Sequence, residues 1–82
     1  MDKKIRLEIM SPGGAVFAGE VDAVFLPGTK GAFEVLPGHD AIISSLESGL
    51  VRYRQGGEEC SVSISSGFMI NKADNMKVCI EK

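Results

Sequence analysis

An all-β fold, a flattened sandwich or barrel of about ten short strands in two sheets, is what this sequence predicts. Turn-forming residues punctuate the chain at intervals of roughly 5–12 residues, too closely for helices of ordinary length. Between them, apolar and polar residues alternate with the period of two that half-buried strands require. No amphipathic window of helical spacing extends beyond about one turn.

The elements follow in order. Ile5, Leu7 and Ile9 alternate with Lys4, Arg6 and Glu8 as a strand with one buried face. Ser11-Pro12-Gly13-Gly14 reverses the chain into a strand at 15–18, which Gly19 is expected to break. Residues 20–26 end in Val24-Phe25-Leu26, apolar on both faces, which predicts a strand covered on two sides. Residues 33–36 and 41–46 are further short strands, the second being the one stretch that could pass for a helical turn. Ser48-Gly49 turns into 50–54, and Gln55-Gly56-Gly57-Glu58 is a hairpin loop leading to Cys60, Val62 and Ile64 on one face. Ser66-Gly67 precedes 68–72, and Ala73-Asp74-Asn75 turns into the last strand, 76–80. In 68–72 the chain places Met69 outward, as it does Met10 in the first strand.

Leu-Pro-Gly occurs at 26–28 and again at 36–38, each time closing an apolar run. Proline presets φ near about −65° and glycine supplies φ > 0, so each unit predicts a sharp reversal. The segment between them reads as two rigid turns around a short strand, displaying Thr29, Lys30 and His39 at one end of the domain.

Eighty-two residues make one domain, 1–82, with no linker, low-complexity run or long repeat. Nine basic against eleven acidic residues give a net charge of −2, which argues against a nucleic-acid partner. One Tyr, four Phe and no Trp leave little to stack bases on. No apolar run approaches the ~18 residues that span a bilayer. The N-terminus, Met1-Asp2-Lys3-Lys4-Ile5-Arg6, lacks the apolar stretch of a signal peptide, so a cytosolic location is expected. Cys60 should face inward and Cys79 outward, an arrangement unsuited to a disulfide, and two thiols without His partners make no zinc site.

Catalytic machinery is hard to assemble from these residues. His39 is the single histidine, and Asp40 beside it would point away on an extended chain, so no His–Asp relay forms. Gly28-Thr29-Lys30-Gly31 lacks the spacing of a phosphate loop. Ser44, Ser45, Ser61, Ser63, Ser65 and Ser66 read as solvent-facing positions. Lipoyl and biotinyl carrier domains present one Lys on a hairpin, and Lys72 sits at such a turn, but near the C-terminus rather than mid-chain. Arg52 and Arg54 share a strand face, where they would either pair with acids on a partner or blunt an exposed edge.

Several segments carry a family likeness. Val16-Phe17-Ala18-Gly19-Glu20-Val21, Leu26-Pro27-Gly28-Thr29-Lys30-Gly31, Val35-Leu36-Pro37-Gly38-His39, Gly49-Leu50-Val51-Arg52-Tyr53-Arg54 and Ser66-Gly67-Phe68 resemble the N-terminal β domain of the epsilon subunit of proton-translocating (F-type) ATP synthase. Order and spacing agree over nearly the whole chain, and Pro-Gly-His after a Gly-rich turn is the most specific part.

The resemblance implies a ten-stranded sandwich and a non-catalytic central-stalk rotor subunit, coupling rotation of the membrane ring to the gamma subunit and the catalytic head. It places the protein at the cytoplasmic face of the membrane, peripheral through the complex and without a cofactor. It implies ring contact through Thr29, Lys30, Gly31, Ala32 and Glu34 and through the turn Pro37, Gly38 and His39. Relatives often carry acids where this chain has Lys30 and Ala32; Glu34, on the same face as Ala32, either supplies the missing carboxylate or is one more solvated charge. Asp40-Ala41 replaces the Ala-Pro common after the histidine. Outward Met10 and Met69 are the expected apolar contacts to gamma. Relatives commonly continue into a helical hairpin, whereas this sequence stops at Lys82, so the resemblance implies no inhibitory arm and no nucleotide site here. A freestanding β-sandwich binding module and, more remotely, a carrier modified at Lys72 are the alternative readings.

Overall fold

A computed structural model of the chain describes residues 3–82. The expectation drawn from Met1 and Asp2 lies outside the described residues. Among the described residues nine strands form: β1 (Ile5–Ser11), β2 (Gly14–Val21), β3 (Ala23–Leu26), β4 (Phe33–Val35), β5 (Ile42–Leu46), β6 (Gly49–Gln55), β7 (Glu58–Ile64), β8 (Ser66–Lys72) and β9 (Asn75–Glu81). They make a five-stranded sheet, β2-β1-β9-β8-β5, facing a four-stranded sheet, β4-β3-β6-β7. The all-β sandwich expected from the alternation is the observed fold.

Alternation decides which face each strand buries. Ile5, Leu7 and Ile9 of β1 and Met76, Val78 and Ile80 of β9 point between the sheets, where they meet Val24, Leu26, Val35, Val51 and Ile64. Tyr53 joins this core, its ring 4.3 Å from that of Phe17. Every neighbouring pair is antiparallel except β1 and β9, the first and last strands, which run parallel.

The chain crosses between sheets at three short corners, after β2, β5 and β7. The first lies at Asp22 and not at Gly19: β2 runs unbroken through Gly19 to Val21, and the single strand expected at 20–26 is split. Asp22 fixes this corner by accepting from the Lys4 ammonium and, at 3.1 Å, from the Gly56 amide. A carboxylate that engages one sheet's entry and the other's hairpin forces the bend that glycine alone does not. The fourth crossing, from β4 to β5, is the long one, and it carries the second Leu-Pro-Gly unit.

Candidate functional site

Residues 27–41 wrap one side of the sandwich, with β4 in their middle. Leu36-Pro37-Gly38-His39 is the reversal its sequence predicts. The His39 amide donates to the Leu36 carbonyl at 3.2 Å, and Gly38 takes φ 87°, the positive value that follows proline in a type II turn. The first unit departs from expectation. Its reversal runs from Gly28 to Gly31, closed by the Gly31 amide on the Gly28 carbonyl at 2.9 Å, and Gly31 is the residue with positive φ. Gly28 is instead buried and bridged to Leu46; a Cβ there would stand 2.7 Å from the Gly31 carbonyl oxygen and 2.7 Å from the Phe33 ring. Close packing, and not backbone handedness, requires glycine at 28.

The two turns are held apart rather than gathered at one end. Thr29 binds β5: its amide donates to the Ser45 carbonyl at 3.1 Å, and the two hydroxyls lie 2.7 Å apart. Gly38 binds the β8–β9 hairpin, its amide donating to Asp74 Oδ1 at 2.8 Å. Ser45 pairs with Phe68, so the anchors are separated by the length of β8 beyond Phe68 and the turn that follows it, roughly 15–20 Å at strand rise. Thr29 and Lys30 therefore mark one end of a ridge and His39 the other.

Along that ridge Thr29, Lys30, Gly31, Ala32, Glu34, Gly38 and His39 are exposed and Pro37 is half-buried. His39 Nδ1 donates to the Asp40 carbonyl at 2.7 Å, leaving Nε2 as its open hydrogen-bonding atom. Ala32 and Glu34 both line a groove with Phe25, Pro27, Leu50 and Arg52, as does Phe33 between them. The guanidiniums of Arg52 and Arg54 lie 5.0 and 5.7 Å from the Phe25 ring centre, and Arg52 reaches Glu59 at 3.7 Å. Glu34 pairs across the strands with Phe25, and its carboxylate is unpaired among the described residues. An open groove of about 530 Å³ is lined by Thr29, Lys30 and Ala32 together with Ile43, Ser44 and Ser45.

Among the described residues no three His, Cys, Asp or Glu side chains gather as metal ligands. Asp22 and Tyr53 are shifted from their ordinary values. The hydrogen bond from Lys4 holds the Asp22 carboxyl below the usual 3.8, with the Gly56 amide assisting. Burial pushes the Tyr53 hydroxyl above 10.0, aided by Cys60 across the strands. Both sit at structural positions, away from the ridge.

Residues 4–82 match the family described as ATP synthase, Delta/Epsilon chain, beta-sandwich domain. The chain belongs to that family. An ATP synthase epsilon chain of Desulforamulus reducens is 41% identical over 69 residues, covering 84% of this chain and 52% of that protein. One from Campylobacter jejuni is 38% identical over 81 residues, covering 98% of this chain and 61% of that protein. The chain thus spans between 52% and 61% of the length of these relatives. A chain of the Euglena gracilis mitochondrial ATP synthase superposes with TM-score 0.89 at 22% identity, over 96% of this chain and 51% of that one. Another, from the central stalk and c-ring of the Tetrahymena thermophila mitochondrial enzyme, gives 0.80 at 10% identity, over 99% of this chain and 66% of that one. At those identities the likeness establishes the fold.

In this ATP synthase delta/epsilon sandwich, one expected contact fails. Met69 is fully buried in the core and cannot face a partner. Its strand is phased by its neighbour: β9 buries Met76 and Val78, and Met69 pairs with Val78, so Met69 turns inward and Phe68 and Ile70 turn out. Met10 is half-buried on the outer face of the five-stranded sheet, beside Cys79, which faces outward as expected and is itself half-buried. Across that face Cys79 pairs with Phe68, Lys77 with Ile70, and Ile70 with Ile43. Phe68 is 54%, Ile70 41% and Ile43 74% exposed, so an apolar band crosses four strands. Sequence reasoning passed over Phe68, Ile70 and Ile43 because each sits in an apolar run whose phase only the strand pairing fixes.

Proposed function

We propose that this chain serves as the β-sandwich of an ATP synthase epsilon subunit: a non-catalytic part of the central stalk that passes rotation between the membrane ring and the gamma subunit. Membership of the delta/epsilon family supports the reading, and the observation that carries it is the exposed ridge from Thr29 to His39. A torque-bearing part needs stiffness, and this body supplies it: two sheets over one core, with the ridge hydrogen-bonded at both ends. The ring side is assigned to Thr29, Lys30, Gly31, Ala32, Glu34, Pro37, Gly38 and His39. Glu34 stands there as an unpaired carboxylate and Lys30 as an exposed ammonium, so the contact has charges of both signs to offer.

The gamma side is assigned to the apolar band of Met10, Phe68, Ile70 and Ile43, which leaves large side chains in water when the chain is alone. On this reading the protein works at the cytoplasmic face of the membrane, attached through the complex. Co-expression with the gamma subunit encoded in the same genome tests the assignment. Gamma should co-purify with this chain, and Phe68→Asp together with Ile70→Asp should abolish its retention while the thermal transition persists. A chain that never retains gamma would favour a freestanding binding module.

A further inference from the structure

Asn71 is the one fully buried polar side chain among the described residues, and neither its Oδ1 nor its Nδ2 meets a hydrogen-bond partner. It lies on the inner face of β8, paired with Ile42 of β5 on one side and with Met76 of β9 on the other. β5 is the outermost strand of its sheet, and among the described residues β8 is its only ladder partner. The ties on its free side all fall at its C-terminal end. Leu46 is bridged to Gly28, the Ser45 carbonyl accepts from the Thr29 amide, and the Glu47 amide donates to the Pro27 carbonyl. The half containing Ile42, Ile43 and Ser44 has no such support. The approach to it, residues 36–41, is tied to the rest of the fold by the bond from Gly38 to Asp74.

We infer that residues 36–44 form a hinged strap that lifts from β8 about Ser45 and Leu46, and that the carboxamide of Asn71 sets how readily it lifts. With the strap down, the buried amide meets no protein partner among the described residues at either end, which costs more than a made hydrogen bond returns. With the strap up, water reaches the amide. Every lifting event thus recovers a hydration that an apolar residue at 71 would forfeit. The β5–β8 ladder over Ile42–Ser44 and the Gly38–Asp74 bond oppose the motion, but apolar burial adds little to them, since Ile42 is only half-buried and Ile43 is 74% exposed. The strap carries Pro37, Gly38 and His39, so its movement displaces one end of the ridge. The inference stands whether or not that ridge meets a ring.

Amide hydrogen exchange on the full chain, followed residue by residue by NMR under native conditions, tests it. The amides of Ile42 and Ser44, which face β8, should exchange about ten-fold or more faster than those of Val78 and Ile80, with little dependence on added denaturant, as local opening requires. In Asn71→Val the amides of Ile42 and Ser44 should slow about ten-fold relative to those of Val78 and Ile80. Exchange of Ile42 and Ser44 only through global unfolding in the parent chain overturns the inference. So does an unchanged ratio in Asn71→Val, or a long-lived water in contact with the Asn71 amide protons, which would mean the group is satisfied with the strap down. If the variant does not fold, the denaturant dependence of the parent chain decides alone.

Discussion

The Gly38 amide donates to Asp74 Oδ1 at 2.8 Å, joining the Pro37-Gly38-His39 turn to the tip of the β8–β9 hairpin, 36 residues further along the chain. Asp74 can do this because it and Ala73 both take positive φ, 61° and 50°, the handedness of a two-residue hairpin turn. Asp74→Ala should lower stability by about 1 kcal/mol and broaden the NMR signals of Gly38 and His39. Asp74→Asn, which keeps an oxygen acceptor and tolerates the same backbone, should do neither. Equal effects of the two substitutions in urea denaturation would show that the bond does not hold the turn.

Glycine at 28 is a packing requirement. Gly28→Ala would press a methyl group against a backbone carbonyl and an aromatic ring, and should cost about 1–3 kcal/mol. Gly13→Ala is the matched control: its added Cβ finds only Ser11 Oγ at 3.9 Å, an ordinary contact, so stability should stay within ~0.5 kcal/mol of the parent. Thermal denaturation of both variants reads the difference directly.

Acid should loosen the corner at Asp22. Lys4 and the Gly56 amide lower the folded-state pKa of Asp22, so its contribution is complete above the unfolded value of 3.8 and fades as pH falls through the lower folded value. The stability gap between the parent and Asp22→Asn should therefore be flat above about pH 5 and narrow progressively below about pH 4. A gap that persists unchanged at low pH would assign the corner to packing instead.

The face assignment of β8 separates two neighbouring residues sharply. Met69→Ala removes a buried side chain and should cost about 2–5 kcal/mol, whereas Phe68→Ser, on the outer face, should change stability by no more than ~0.5 kcal/mol. The proposed binding to gamma should respond in the opposite sense, falling with Phe68→Ser.

Much of the fold is legible in the sequence because its signal is local. The alternation in β1, β7 and β9 names their inward residues correctly, and the glycine and proline positions separate most of the strands. What escapes is set by pairing between distant segments. The parallel contact of β1 with β9 leaves no mark on either strand alone. In Phe68-Met69-Ile70-Asn71, three apolar residues in succession allow either phase, and polarity favours the wrong one, since the observed phase buries Asn71. The first reversal lies at Gly28–Gly31 rather than at the Pro-Gly pair, where Gly28 is bridged to Leu46 and packed against the Phe33 ring, a contact with residues further along the chain. Of the candidate site, the ridge residues Thr29, Lys30, Ala32, Glu34 and His39 are exposed as expected; the apolar band needed the register to be seen.

Hydrogen-exchange footprinting of this chain within an assembled ATP synthase, compared with the chain alone, addresses the proposed role most directly. Two separate surfaces should become protected together: the ridge from Thr29 to His39 and the outer face of β8 around Phe68 and Ile70. Protection of neither surface in the complex, or exclusion of the chain from the complex altogether, would contradict the account.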